Sequence, residues 1–174
     1  VDNLDRIQQK YQLRDGGTIT YDRELTSREK VNAVENLMKQ SIANGTDTEV
    51  KLETNHYFAK GVYAREIFIP KGCILTGFIH KYTNLNIISK GKIDVSIDGV
   101  IKTIEAPATI VSPPGTKRIA IALEDTVWTT IHGTEEKDIS LIEEMFIAHS
   151  EEEYLQFEKQ LQFAFEQTKV LGLD

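Results

Sequence analysis

Five side chains in the middle of this 174-residue chain, His80, Asn84, Asn86, Arg118 and Trp128, are of types that recognise a small polar or anionic molecule. Arg118 carries a planar guanidinium whose fork matches a carboxylate or phosphate in bidentate geometry. Held inside a fold, it must be paired, either by an internal acid (Glu66, Glu105, Glu124 and Asp125 are the candidates) or by a bound anion. Asn84 and Asn86 stand two residues apart and share one face of a regular strand. An amide takes up no proton at neutral pH, but it both donates and accepts hydrogen bonds. In segment 124–132, alternation places Trp128, Thr130 and His132 on one face and Val127, Thr129 and Ile131 on the other. Tyr63 and Arg65 share a face in the same way and are placed at the mouth of any pocket. Lys117 should point away from Arg118, into solvent.

Other chemistries find less support. A metal centre needs three or four converging nitrogen or oxygen ligands. The four histidines are 56, 80, 132 and 149. His56, His80 and His132 form the one alternative metal set, and the expected reading is a hydrogen-bonded His80 in a polar pocket, with no metal or other cofactor. Cys73 is the single cysteine; it has no internal disulfide partner, which fits a reducing compartment, and no arrangement marks it as a nucleophile. There is no P-loop, dinucleotide-binding glycine pattern, Cys-x-x-Cys pair or nucleophile elbow. The net charge of −7, without clustered Lys/Arg and interleaved aromatics, argues against a nucleic-acid partner. No apolar run reaches the roughly 20 residues of a membrane helix, and the first residues lack the basic start and apolar stretch of a signal peptide. A cytoplasmic protein is expected.

The elements that must position these residues fall into three regions. Residues 1–48 read as an arm (1–25) and an amphipathic helix. Thr26-Ser27-Arg28-Glu29 is a capping box, Val31, Val34, Leu37, Met38 and Ile42 lie on one helical face, and Asn44-Gly45 ends the helix. Residues 49–134 break into about eight short strand-like runs: 62–69, 74–80, 85–89, 93–97, 101–104, 109–111, 118–122 and 126–132. Asp98-Gly99 suits a two-residue hairpin turn, and Pro70-Lys71-Gly72 and Pro113-Pro114-Gly115 are turns by composition. Short, evenly spaced strands without helices between them predict a mainly β fold, an antiparallel barrel or jelly roll. Residues 135–174 return to helical period, with a second capping box at Ser150–Glu153. The aromatics Phe146, Tyr154, Phe157, Phe163 and Phe165 are too many to leave in water and should pack on the barrel or on a second copy.

The stretch GCILTGFIHKYTNLNIISKG resembles the first metal-binding motif of the cupins, G-x5-H-x-H-x3-E-x6-G. Every interval is kept on Gly72, Phe78, His80, Asn84 and Gly91. The second motif, G-x5-P-x-G-x2-H-x3-N, falls on Pro107, Pro113, Gly115, Arg118 and Ala122. Both glycines of the first motif and the proline-turn-glycine of the second are present. Phenylalanine, asparagine and arginine replace three ligands, and His80 alone remains. The resemblance covers about half of the chain and implies a small cupin-like jelly roll with His80 and Arg118 directed inward. It also implies a homodimer, as cupins with helical extensions pair through sheet edges and arms. The phrases GFIHKYTNLNIISKGKI and PPGTKRIAIALEDTVWTTIHG further resemble uncharacterised cupin-like proteins of bacteriophages.

Three functions follow as expectations. The first is a metal-independent binding module, with a pocket of His80, Asn84, Asn86, Arg118 and Trp128. The second is an enzyme, either a sugar isomerase or epimerase with His80 as base or a metal-dependent oxygenase. The third is a structural role, as in a virion. A general base needs a positioning partner, and no acid stands at the usual cupin place to hold His80.

Overall fold

The computed structural model describes residues 26–170 except Asp98; the arm expected over residues 1–25 lies outside the described residues. Helix α1 (Ser27–Ala43) begins as its sequence dictates. The Glu29 amide donates to Thr26 Oγ1 at 3.3 Å, and the Thr26 amide donates to Glu29 Oε2 at 2.8 Å, so both arms of the capping box close. Asn44 caps its end, and Gly45 takes a positive φ of 70° just beyond.

Ten strands follow: β1 (Glu53–Ala59), β2 (Val62–Ile69), β3 (Ile74–Thr76), β4 (Ile79–His80), β5 (Asn84–Lys90), β6 (Lys92–Ile97), β7 (Val100–Glu105), β8 (Ala108–Ser112), β9 (Ile119–Ala122) and β10 (Thr126–Gly133). Helix α2 (Ile139–Phe146), strand β11 (Ile147–Ala148) and helix α3 (Glu151–Val170) complete the described chain. A five-stranded sheet of order β1-β2-β10-β5-β8 packs against a four-stranded sheet of order β3-β9-β6-β7. All pairings are antiparallel. This is the mainly β architecture expected from the turn spacing, two facing antiparallel sheets, although the sheets do not close into a barrel. At the β6–β7 turn Ile97 pairs with Val100 and Gly99 has φ +79°, as a two-residue hairpin requires.

One core lies between the sheets. Ile67, Ile69 and Ile88 of the first meet Ile93, Val95, Ala120 and Ala122 of the second. The outer face of the second sheet is covered by α1, where Val31 and Val34 bury against Ile119 with Leu37, Met38, Ile74 and Ile121 beside them. Lys117 takes part in this packing, which corrects the expectation of a solvated lysine. Its side chain is only 8% exposed, with Nζ bonded to Glu35 and to Asn32 Oδ1. It points away from Arg118, as alternation requires, but α1 occupies the space there.

The run 74–80, the place of His56 and the capping box at Ser150–Glu153 need correction. The run 74–80 is not one strand: β3 joins the four-stranded sheet, while β4 leaves it to pair with β11. Strand β1, absent from the sequence reading, pairs along its whole length with β2, so His56 lies within the sheet and not ahead of it. Of the C-terminal aromatics, Phe146 and Tyr154 are buried and Phe157 packs with Tyr154, whereas Phe163 and Phe165 are 63% and 64% exposed on this single chain, which leaves them for the second copy that the sequence reading allowed. At the start of α3, Ser150 Oγ accepts from the Glu153 amide, whereas the Glu153 carboxylate reaches the His149 amide and not that of Ser150.

Candidate functional site

Between the two sheets, toward the α2 end, lies a cavity of about 490 Å³. That is within the range for small-molecule pockets. His80, Asn84, Asn86, Arg118 and Trp128 all line it, as do Tyr63 and Arg65. Strand alternation is what brings them together. Trp128, Thr130 and His132 line the cavity from β10, while Val127, Thr129 and Ile131 are on the other face. Helix α2 closes one end: Ile142 and Phe146 pack on Tyr63, and Ile139 and Glu143 also line the space. Asp138 sets the start of α2 by accepting from the Ser140 and Leu141 amides.

The polar wall is organised by Asn86. Its Nδ2 donates to Asn84 Oδ1 and to Ser112 Oγ, each at 2.8 Å. Its Oδ1 accepts from Trp128 Nε1 at 2.9 Å and from Thr130 Oγ1 at 2.8 Å. Two donors and two acceptor sites are all that an amide has. Asn86 therefore positions its neighbours and offers nothing more to a ligand. Ser112 Oγ also receives Arg118 Nη1 at 2.5 Å, which ties the guanidinium to the same wall. Of the acids considered as partners for Arg118, Glu66 bonds to Tyr57 and Thr129, Glu105 to Lys92, and Asp125 to the Lys71 amide. Ser112 was not expected from the sequence, and Thr130 was placed only on the face of Trp128; their bonds to Asn86 span 26 and 44 residues.

His80 and His132 stack with ring centroids 5.4 Å apart, and His132 stacks in turn on Phe146 at 4.3 Å. Burial holds the His80 imidazole down at about 4, with His132, Arg118 and Arg65 adding to the effect. Burial alone brings His132 to about 4. Both are neutral at pH 7. The Nδ1 atoms of both are buried and have no hydrogen-bond partner among the described residues. The cavity wall thus carries Arg118, with Arg65 and Glu143 exposed toward its mouth.

These histidines make stability depend on pH. Their native pKa values lie below the ordinary 6.5, so between about 6.5 and 4 the unfolded chain binds protons that the native protein does not. Stability is therefore full above about pH 6.5 and falls as the pH drops toward 4, by roughly 2–4 kcal/mol for the two together. Urea midpoints measured from pH 7.5 to 4.5 should show this decline, and His132→Phe should reduce its slope. An unchanged slope in the variant would remove His132 from the account.

A cupin metal does not fit this donor set. Phe78 packs against His149 and has no donor, Asn84 is committed to Asn86, and Arg118 brings a positive charge where a ligand would stand. The His56, His80, His132 alternative does not assemble: His56 Nδ1 is bonded to Tyr63 Oη at 2.8 Å. Among the described residues no three His, Cys, Asp or Glu side chains group as a metal site. Burial pushes the Cys73 thiol up, away from nucleophilic reactivity. No described helix is long and apolar enough to cross a membrane.

No family model and no curated protein matches the chain. Solved structures similar to it include KdgF from Halomonas sp., 17% identical over 53% of this chain and 87% of that one, with a TM-score of 0.45. An RmlC-like cupin from Shewanella frigidimarina NCIMB 400 is 21% identical over 53% and 84%, with a TM-score of 0.44. An acetylacetone dioxygenase from Acinetobacter johnsonii is 13% identical over 49% and 61%, with a TM-score of 0.42.

Proposed function

We propose that this chain, which has a cupin-type jelly roll, is a binding protein that holds a small polar or anionic molecule in its cavity without a metal. One observation carries the reading. The cavity has a prebuilt polar wall in which Asn86 is fully used and, through Ser112, ties in Arg118, with the stacked His80–His132 pair beside it around open space. Buried polar atoms without partners cost about 1–3 kcal/mol each. A bound molecule that satisfies the two Nδ1 atoms would offset that cost.

Acid–base catalysis is less well supported. A base works best with a pKa near the operating pH, and His80 titrates near 4 with no carboxylate to orient it. A scaffold would fill its interior with apolar side chains, and this one leaves a lined cavity. The resemblance to phage cupin-like proteins extends the proposal to a bacteriophage product in the bacterial cytoplasm that sequesters a host metabolite or signal. A homodimer belongs to the same proposal. A row of paired residues, Tyr57, Ala64, Ile131, Leu85 and Val111, crosses the outer face of the five-stranded sheet, with Tyr57, Leu85 and Val111 exposed.

Native mass spectrometry with metal analysis on the same sample tests these points together. The expected result is a dimer mass with a small-molecule adduct and far less than one metal per chain. One tightly held zinc, iron or manganese per chain would replace this proposal with a metalloenzyme.

A further inference from the structure

Two opposite charges face the cavity from inward positions of their elements. In β2, alternation turns Tyr63, Arg65 and Ile67 to the inner face of the five-stranded sheet, where Tyr63 and Ile67 are buried. Arg65 stands between them and lines the cavity. In α2 the lining residues are Ile139, Ile142, Glu143 and Phe146, at the three- and four-residue steps of one helical face. Ser140, Leu141, Glu144 and Met145 are exposed on the rest of the helix. Glu143 is thus a charge on an otherwise apolar face. Tyr63 joins the two places, since Ile142 and Phe146 pack on it and both charges bear on its hydroxyl. Burial raises the pKa of that hydroxyl, and beyond burial Arg65 lowers it and Glu143 raises it. Neither charge is neutralised by the protein. Among the described residues, the Arg65 and Glu143 side chains make no hydrogen bond or ion pair, with each other or with any neighbour. The other guanidinium of the lining, Arg118, is taken up by the protein, with Ser112 Oγ one of its partners.

Resting on the reading above, we propose that the ligand is a zwitterionic amino acid. Its carboxylate lies on the Arg65 guanidinium, its ammonium on the Glu143 carboxylate, and its side chain in the body of the cavity. A guanidinium takes a carboxylate in bidentate geometry, and a carboxylate accepts from an ammonium. A simple anion would satisfy Arg65 and be repelled by Glu143, and a simple amine would do the reverse. A neutral molecule would use neither. One charge stands on a strand and the other on the helix docked over it, so a ligand that carries both signs bridges two elements that do not meet directly. Both side chains are exposed, so the site is reached without opening the fold.

The chain has one tryptophan, and it lines the cavity, so its fluorescence reports on occupancy. Purified protein stripped of any adduct is titrated with each of the common amino acids and with inorganic phosphate, with calorimetry alongside. The amino acid that binds most tightly is then compared with its two half-molecules, the acid that lacks the ammonium and the amine that lacks the carboxylate. It should bind about tenfold or more tightly than either half, because each charge-assisted contact contributes on that scale. Arg65→Met should bring it down to the level of the amine, and Glu143→Gln to the level of the acid. Either half, or phosphate, binding as tightly as the amino acid would overturn the zwitterion and leave the binding reading standing. An amino acid whose affinity survives both substitutions would overturn the assignment to Arg65 and Glu143. No response to any of these compounds at millimolar concentration would overturn both readings. Should either variant fail to fold by near-UV circular dichroism, the comparison with the half-molecules on the unaltered protein decides the matter.

Discussion

Asn86→Leu is expected to destabilise the protein by about 4 kcal/mol. The substitution puts an apolar side chain of similar size in its place and removes all four hydrogen bonds that the amide makes. Trp128 Nε1, Thr130 Oγ1, Ser112 Oγ and Asn84 Oδ1 would each lose a partner in a half-buried or buried setting, at about 1 kcal/mol apiece after partial rescue by water. Asn86→Asp separates the two halves of the network. A carboxylate still accepts from Trp128 and Thr130 but donates to neither Asn84 nor Ser112. It should fall between the native protein and the leucine variant. Urea unfolding followed by Trp128 fluorescence reads the stability of both variants, since the indole N–H is one of the orphaned groups. A loss under 1 kcal/mol for Asn86→Leu would mean that the network contributes little to folding.

The second large effect is expected at Gly91, between β5 and β6, where φ is +87°. A Cβ there would sit 2.3 Å from the Asp125 carbonyl oxygen and 2.8 Å from Thr126 Cα. Both are backbone atoms with no room to move. Gly91→Ala should cost 3 kcal/mol or more, or prevent soluble expression, because strain at positive φ and overlap act together. Gly72 is the control. It has φ +81°, yet nothing lies within 4 Å of its would-be Cβ. Gly72→Ala should cost only about 1 kcal/mol, from the backbone conformation alone. Thermal melting of the two variants side by side distinguishes crowding from strain, and equal losses would refute the crowding argument.

These two glycines also show why the fold was legible in the sequence. Their spacing, with the turns at Pro70-Lys71-Gly72 and Pro113-Pro114-Gly115, fixes where strands stop, and alternation inside the runs shows which side chains turn inward. Trp128, Thr130 and His132 could be assigned to one face for that reason. The same logic failed at β1, because the inward residues Thr54 and His56 face a polar cavity and not the core. ETNHYFA therefore lacks the apolar alternation that marks a strand. Strand β11 is two residues long and exists only because β4 is there to pair with it.

The candidate site was legible in its members but not in its division of labour. His80, Asn84, Asn86, Arg118 and Trp128 do converge. That Asn86 is saturated, and so holds the others in place, depends on Ser112 and Thr130 arriving from distant strands. The depressed titration of His80 and His132 likewise comes first from burial, to which the docking of Phe146 and Ile142 of α2 contributes over a long range in sequence.

Strand β10 lies in the middle of the five-stranded sheet, between β2 and β5, yet it is the last of those five strands in the chain. During synthesis, β2 and β5 must therefore wait for their shared neighbour. At bacterial or eukaryotic elongation rates the residues between β5 and β10 take on the order of seconds to appear. For that interval two hydrogen-bonding edges stand open on the nascent polypeptide, each able to accept a strand from a neighbouring chain. The yield of native protein should thus be set at the ribosome by temperature and crowding of translating copies, more than by the stability of the finished molecule.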